Sequence, residues 1–173
     1  VKVALANGLA SQVNLLARTV RNLVLLEEPA EMRREEGRIH DARTKYQELI
    51  AKLEPMVRSE EGQRILAQIK EAQSMTAPLM DKAIELGLAN KNSEATNVII
   101  REVRPAQAKW FEALDAMIRH EEKVSGDLVE QANHDYQQAF QVMIVLTVLA
   151  MLLGSGAAYL ITRSIITPLR EAV

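Results

Sequence analysis

Apolar residues recur along the chain at alternating steps of three and four positions, the spacing of one face of an α-helix. Four stretches show this pattern. Their apolar positions are Val13, Leu16, Val20 and Leu23; Met32, Ile39, Ala42, Tyr46, Leu49 and Leu53; Ile65, Ile69, Ala72, Leu79, Ala83 and Leu86; and Val103, Ala106, Trp110, Ala113, Met117, Val124 and Leu128. Because such seams pack in coiled-coil fashion, they predict an all-α chain folded as an antiparallel up-down-up-down four-helix bundle.

Helix-starting and helix-breaking residues separate the four stretches. In chain order they are Pro29 after a first stretch ending near Glu28, Ser59 after a second ending near Leu53, and Ser93 after a third ending at Gly87. Proline suits the first position of a helix, and serine is a favoured N-cap. Pro78 and Pro105 also interrupt the pattern, and the sequence leaves open whether each lies inside a helix or near a helix start.

The fourth stretch continues without a strong breaker into an uncharged segment, VMIVLTVLAMLLGSGAAYLI, from Val142 to Ile161. About 20 apolar residues in a helix match the roughly 30 Å of a bilayer's hydrocarbon core, so this segment is predicted to be a transmembrane helix. Arg163 and Arg170 follow the segment, whereas Glu130 and Asp135 precede it. By the positive-inside rule, the carboxyl-terminal end faces the cytoplasm.

Composition narrows the function classes. Hydrophobic residues make up 48% of the chain, aromatic residues only 3%, the formal net charge is −2 and cysteine is absent. The chain has no excess of positive charge, and no aromatic residues lie among its lysines and arginines for bases to stack on. It is therefore not predicted to bind nucleic acid. No catalytic, metal-binding or cofactor motif is present, so we expect neither an enzyme nor a cofactor.

The segment LLARTVRNLVLL, Leu15 to Leu26, places two arginines in an otherwise aliphatic stretch. Arg18 and Arg21 fall on the side of the helix opposite its apolar seam, so they are predicted to point away from their own bundle. A guanidinium seeks an anionic partner. Three alternatives remain open. The arginines bind an organic anion, they pair with acids of a partner helix, or they lie on a solvated surface.

The lengths of the first and last helices do not match. The fourth runs for about 48 residues before the membrane, or roughly 70 Å, but the first spans only about 28, or roughly 40 Å. We therefore expect further helix, and a first transmembrane segment, before Val1.

This arrangement, with TRSIITPLREAV after the membrane segment, resembles the sensory half of a bacterial methyl-accepting chemotaxis receptor. Pro168 is similar to the proline that opens the first helix of a HAMP linker. The resemblance implies three parts: an extracytoplasmic sensor bundle at 1–140, a transmembrane helix at 141–162 and the start of a cytoplasmic HAMP linker at 163–173. It also implies a homodimer in the inner membrane, with the sensor in the periplasm or extracellular space, that acts on a cytoplasmic signalling domain and the chemotaxis machinery.

The aspartate- and serine-sensing members of that family carry ligand-binding arginines on the first helix, similar to Arg18 and Arg21. Their fourth helix opens with a Pro-Thr-Gln motif, over which Pro105, Ala106 and Gln107 fall here; Ala106 lacks the hydroxyl and Arg104 adds a cation. The resemblance thus implies a small organic anion, a carboxylate, bound at the dimer interface. The expected ligand-binding residues are Arg18, Arg21, Asn22, Arg104, Ala106, Gln107 and Trp110. Trp110 also lies on the apolar seam, where core packing is its other expected role.

Two alternatives share the same external pattern. Sensor histidine kinases have similar input domains and differ in the residues that follow. A structural, membrane-anchored coiled coil would bind no small molecule, and its arginines would affect only stability.

Overall fold

The structure, a computed structural model, describes residues 1–161 and contains no strand in that range. Its helices are α1 (Lys2–Leu25), α2 (Pro29–Leu53), α3 (Glu60–Leu88) and α4, which comprises α-helical Asn92–Val98, a π-helical turn Ile99–Val103 and α-helical Arg104–Ile161. The connections are short, so consecutive helices run antiparallel. The predicted all-α, up-down-up-down four-helix bundle is confirmed. The predicted HAMP start and Arg163, Pro168 and Arg170 lie outside the described residues.

The bundle core follows the predicted seams in α1 and α2. Its members there are Val13, Leu16, Val20 and Leu23 from α1, and Met32, Ile39, Ala42, Tyr46 and Leu53 from α2, all buried, with Leu49 half-buried beside them. Each fully buried aliphatic side chain contributes about 1.5–3 kcal/mol relative to an exposed one, so this interior supplies most of the bundle's stability.

In α3 the predicted positions Ile65, Ile69, Ala72 and Ala83 are buried, and two others differ. Met80 and Gly87 are buried where Leu79 and Leu86 were expected, and those two leucines are half-buried. A straight α-helix drifts by about 20° per heptad relative to a strict 3.5-residue repeat, and α3 is long enough to show this drift.

The α4 seam differs at three predicted positions, of which Val124 is half-buried. Gln107 is buried and Ala106 is half-buried, whereas Val103, Trp110, Ala113 and Met117 are buried as predicted. Leu128 is 61% exposed, because the compact unit that holds the core ends at Val124.

Two of the predicted helix ends are confirmed and one is wrong. Pro29 occupies the first turn of α2, and the Ser59 hydroxyl accepts a hydrogen bond from the Gly62 amide at 3.1 Å. Ser93 is not the cap of α4, because the helix begins at Asn92 after Lys91, which makes no side-chain cap.

The end of α3 explains that difference. Asn90 adopts a left-handed conformation with φ 56°, and the amides of Asn90 and Lys91 donate to the carbonyls of Gly87 and Leu86, each at 2.9 Å. This Schellman motif ends α3 and lets the next helix begin at once.

Both interrupting prolines lie inside helices. Pro78 is within α3, and Pro105 follows the π-turn of α4. Proline has no amide hydrogen, and its ring clashes with the carbonyl four residues earlier in a regular α-helix. Just before Pro105, the Arg104 amide donates to the Ile99 carbonyl, five residues back, so the turn there is already wide.

The chain divides after Val124 into two units. The first contains the bundle core described above. The second contains the apolar part of α4, in which side chains from Ser125 to Ile161 are exposed. Of the described helices, Asn92–Ile161 alone contains a stretch long and apolar enough to cross a membrane, with a mean hydropathy of 2.2 over its best window and no part of that window buried.

Candidate anion-binding site

A solvent-open groove of about 290 Å³ lies between α1, α3 and α4. Three of the predicted site residues, Arg21, Arg104 and Gln107, line it. The other lining residues are Asn14, Ala17, Val20, Met80, Ile99, Val103, Ala108 and Phe111. The groove therefore combines an apolar floor with polar groups at its edges, which is the usual composition of a small-molecule site.

The π-turn of α4 positions one wall of this groove. Ile99 and Val103 belong to the turn, and Arg104 follows it directly. Single π-turns inside α-helices are frequent at functional sites. Lys82 of α3 binds both carboxylate oxygens of Glu102, at 2.9 and 3.0 Å, which ties the turn to α3. Glu102 is thereby paired with a lysine and not with the groove's arginines.

Gln107 joins α4 to α1 beneath the groove. Its side chain is buried, and the amide nitrogen donates to the Val13 carbonyl at 3.3 Å. Because α1 is helical at Val13, this bond fixes the spacing between the two helices that carry the arginines. The buried amide makes Gln107 a structural part of the site as well as a lining residue.

The two groove arginines have no acidic partner among residues 1–161. The Arg21 Nε donates to the Ala17 carbonyl of its own helix at 3.0 Å, and the Arg104 side chain makes no hydrogen bond in the described part of the chain. Both side chains are exposed, so their terminal nitrogens are free to donate. Two guanidinium groups at one groove can hold a carboxylate through paired, charge-assisted hydrogen bonds.

The remaining predicted site residues lie outside the groove lining. Arg18 and Asn22 are exposed on the outer face of α1, as the helical spacing predicted for Arg18, and Ala106 is half-buried on α4. Arg21 was expected on that outer face too, but its side chain reaches the groove of its own bundle. Arg18 sits three residues before Arg21, close to a full turn, so the two cations share one end of α1.

Trp110 lies in the core and not in the groove. It is 3% exposed, its indole nitrogen donates to the Tyr46 hydroxyl at 3.0 Å, and the two rings meet edge to face with centroids 5.1 Å apart. Burial raises the pKa of Tyr46 to about 12. Trp110 therefore joins α4 to α2, and core packing, one of its two expected roles, is confirmed.

Sequence reasoning did not select Asn14 as a site residue. Asn14 lies seven residues before Arg21, two turns away on the same helix face, and both line the groove. This spacing could have identified Asn14 as a neighbour of Arg21 from the sequence. Among residues 1–161, no group of three or more histidine, aspartate or glutamate side chains is arranged to hold a metal ion.

Comparison with known proteins adds one match. A family model described as a four helix bundle sensory module for signal transduction matches residues 1–136, which include α1, α2, α3, the part of α4 that belongs to the bundle core, and the whole groove. No curated protein and no solved structure matches the chain.

Proposed function

Because the chain belongs to the four-helix-bundle sensory modules of methyl-accepting chemotaxis proteins, which are signalling rather than catalytic domains, we propose that it is the ligand-binding input domain of a transmembrane chemoreceptor. The proposed ligand is a small organic anion with one or more carboxylates. The groove between α1, α3 and α4 is its proposed site.

The observation that carries this proposal is the pair of guanidinium groups, Arg21 and Arg104, at one groove without an acidic partner among residues 1–161. Surface arginines that serve only solubility are usually interspersed with acids. The acid nearest to Arg104 along the chain, Glu102, is paired with Lys82. Among the described residues, no acidic side chain lines the groove to pair with a ligand's ammonium group, so carboxylates without an α-amino group fit the site better than amino acids do.

The proposed receptor is a homodimer in which the partner subunit covers the outer face of α1. Arg18, Asn22 and Leu25 are exposed on that part of α1, and Leu25 is 74% exposed. A second subunit would bury Leu25 and bring further positive charge to the mouth of the groove. The ligand would then lie at the dimer interface, near the ends of α1 and α4 that are joined to α2 and α3.

Signalling would depend on a difference in the ligand's affinity for two arrangements of the helices. A ligand shifts the receptor only if it binds one helix arrangement better than another. Ile99, Val103 and Arg104 belong to α4, whose α-helical part extends to Ile161. A helix displacement of about 1–2 Å, as in other switching proteins, would carry the signal inward.

The proposed location is the inner membrane, with the bundle in the periplasm or extracellular space and α4 crossing the bilayer near 141–162. Residues 163–173 would begin the cytoplasmic HAMP linker. Beyond it, the proposed partners are a cytoplasmic signalling domain and the chemotaxis machinery.

A thermal-shift screen of the whole chain in lipid nanodiscs tests the proposal against mono-, di- and tricarboxylates and amino acids. A ligand at about 100 times its dissociation constant adds roughly 2.7 kcal/mol to the free energy of unfolding, a shift of several degrees. We expect a carboxylate to give this shift, and Arg104→Gln and Arg21→Gln to remove it.

Arg101→Gln is the matched control, because Arg101 is exposed on the same π-turn and does not line the groove. It should leave the shift intact. A carboxylate response that survives both groove substitutions would place the ligand elsewhere. No response to any carboxylate would instead favour the structural coiled coil.

A further inference from the structure

A second cleft, of about 160 Å³, lies between α2 and α3 and shares no lining residue with the anion groove. Its lining residues are Arg43, Tyr46 and Gln47 of α2, Gln73 and Ala77 of α3, Leu16 of α1 and Trp110 of α4. Arg43 and Gln47 are four residues apart on one helix, as are Gln73 and Ala77 on the other. Each pair therefore faces the cleft from a single helix face.

The charge in this cleft is already neutralised. The Arg43 Nη2 lies 2.5 Å from the Asp81 Oδ1, and Asp81 is one turn beyond Ala77 on α3. This ion pair bridges the two helices at one end of the cleft. An anionic ligand would have to compete with Asp81 for Arg43, and a cation would meet no unpaired carboxylate among the lining residues. The cleft thus favours an uncharged ligand.

Trp110 and Tyr46 form the inner wall of the cleft, and their polar atoms hydrogen-bond to each other. Trp110 donates to the Tyr46 hydroxyl at 3.0 Å, so the polar atoms of both side chains are paired, and these residues, 3% and 1% exposed, meet the cleft only at the edges of their rings. The side-chain amides of Gln47 and Gln73 make no hydrogen bond within residues 1–161. An amide can both donate and accept, so either glutamine can bind a hydroxyl or amide on a ligand.

The cleft volume matches one small ring. A protein cavity of about 150 Å³ holds a benzene molecule. Edge-to-face contact with an aromatic wall adds to the burial of such a ring. We propose that this cleft is a second binding site, for a single uncharged aromatic ring that carries one amide or hydroxyl group, held between the Trp110–Tyr46 wall and the amides of Gln47 and Gln73.

Because the chain contains one tryptophan, 5-fluorotryptophan labelling gives one ¹⁹F signal that reports on this wall. The experiment titrates benzamide into the whole labelled chain in lipid nanodiscs. We expect a saturable shift of the Trp110 signal. Benzoate, which has the same ring and a negative charge, should bind at least about tenfold more weakly at this signal.

Ala77→Leu fills the cleft and should abolish the benzamide shift. Ala108→Leu is the matched control, because it places the same side chain in the anion groove, and it should leave the shift unchanged. Gln47→Leu alters an exposed position that the fold tolerates, and should weaken benzamide binding by about tenfold through the lost hydrogen bond.

The proposal is overturned if benzamide gives no saturable shift in the unaltered chain, or if the shift persists in a folded Ala77→Leu variant. Equal affinity for benzoate and benzamide would overturn the choice of an uncharged ligand. These outcomes do not bear on the proposed anion site, because its own test uses none of these variants and Arg21 and Arg104 are unchanged here.

Discussion

Glu35 is the acidic residue that interrupts the apolar seam of α2. It lies three residues after Met32 and four before Ile39, both buried, and is itself only 9% exposed. One carboxylate oxygen accepts from Arg38 at 2.8 Å, and the other is buried without a hydrogen-bond partner in the described chain. A buried polar atom without a partner destabilises a fold by about 1–3 kcal/mol.

Glu35→Met should therefore stabilise the bundle. Methionine fills a similar volume, removes the unpaired oxygen and completes the seam, so we expect the free energy of unfolding to rise by about 1–2 kcal/mol. Urea denaturation measures this change. Glu36→Met is the control at an exposed neighbour and should change stability by less than about 0.5 kcal/mol. A loss of stability in Glu35→Met would show that the carboxylate has a partner role that its contacts do not reveal.

Tyr46 predicts a pH dependence of stability. Its ordinary pKa is 10.0, and burial raises the pKa in the folded bundle to about 12. Between these values the unfolded chain loses the phenol proton and the folded chain keeps it, so stability falls as pH rises; below pH 10 the contribution is fully present. The free energy of unfolding should fall by about 2–3 kcal/mol in total as the pH rises through both pKa values.

The measurement is the free energy of unfolding of the unaltered chain and of Tyr46→Phe from pH 9 to 12. The advantage of the unaltered chain over Tyr46→Phe should shrink across this range. Tyr136→Phe, at a 70% exposed tyrosine, should follow the unaltered chain at every pH. A constant difference between Tyr46→Phe and the unaltered chain would rule out this titration.

At the scale of helices, two glycines within helices differ in the space available for a side chain. Gly37 is exposed in α2, and a Cβ there would meet nothing within 4 Å. Gly87 is buried near the end of α3, where a Cβ would lie 2.7 Å from the Leu23 Cδ2 and 3.1 Å from the Val24 Cγ2. Leu23 is fully buried, so it cannot turn outward to make room.

Gly37→Ala should stabilise the bundle by about 0.5–1 kcal/mol through helix propensity. Gly87→Ala should destabilise it by about 1–2 kcal/mol, because overpacking between α1 and α3 outweighs the smaller propensity gain near a helix end. Thermal unfolding of both variants followed by circular dichroism compares them directly. Equal shifts of the same sign would mean that the packing of α1 on α3 does not depend on Gly87.

Local signals predicted most helix ends because they act within one or two turns. Pro29 and Ser59 meet the backbone groups of their own helices, so the sequence identifies them. Ser93 was wrongly predicted as a cap because Asn90 adopts the left-handed conformation and closes α3 with fewer residues than the sequence pattern indicated. The hydrogen bonds that end α3 lie within residues 86–91, so this end is also formed by local contacts.

The candidate site was harder to predict because it combines residues that are far apart in sequence. Arg21 and Arg104 are on different helices, and resemblance to known receptors was needed to associate them. Periodicity placed Arg21 on the outer face of α1, although its long side chain reaches the groove. Between Val103 and Trp110 the seam can step by three and then four or by four and then three. The pattern favoured apolar Ala106, but the buried residue is Gln107, whose amide nitrogen donates to the Val13 carbonyl.

For the molecule as a whole, the contacts that stabilise the bundle end well before the apolar part of α4. Met117 is fully buried and is the last member of the core cluster, and Glu121, 3% exposed, forms an ion pair with Lys2 at 3.0 Å. From Ser125 to Ile161 the described side chains are exposed. The bundle should therefore fold without the apolar segment that follows it in α4.

A chain that ends after Val124 should unfold cooperatively with the same free energy as one that ends after Gln138, within about 0.5 kcal/mol. A chain that ends after Ala116 loses Met117 and the partner of Lys2, and should lose at least about 3 kcal/mol. Urea denaturation at two protein concentrations makes the comparison, because any contribution from dimer formation depends on concentration. If the chain ending after Val124 were much less stable than the longer one at both concentrations, residues 125–138 would belong to the folding unit of the bundle.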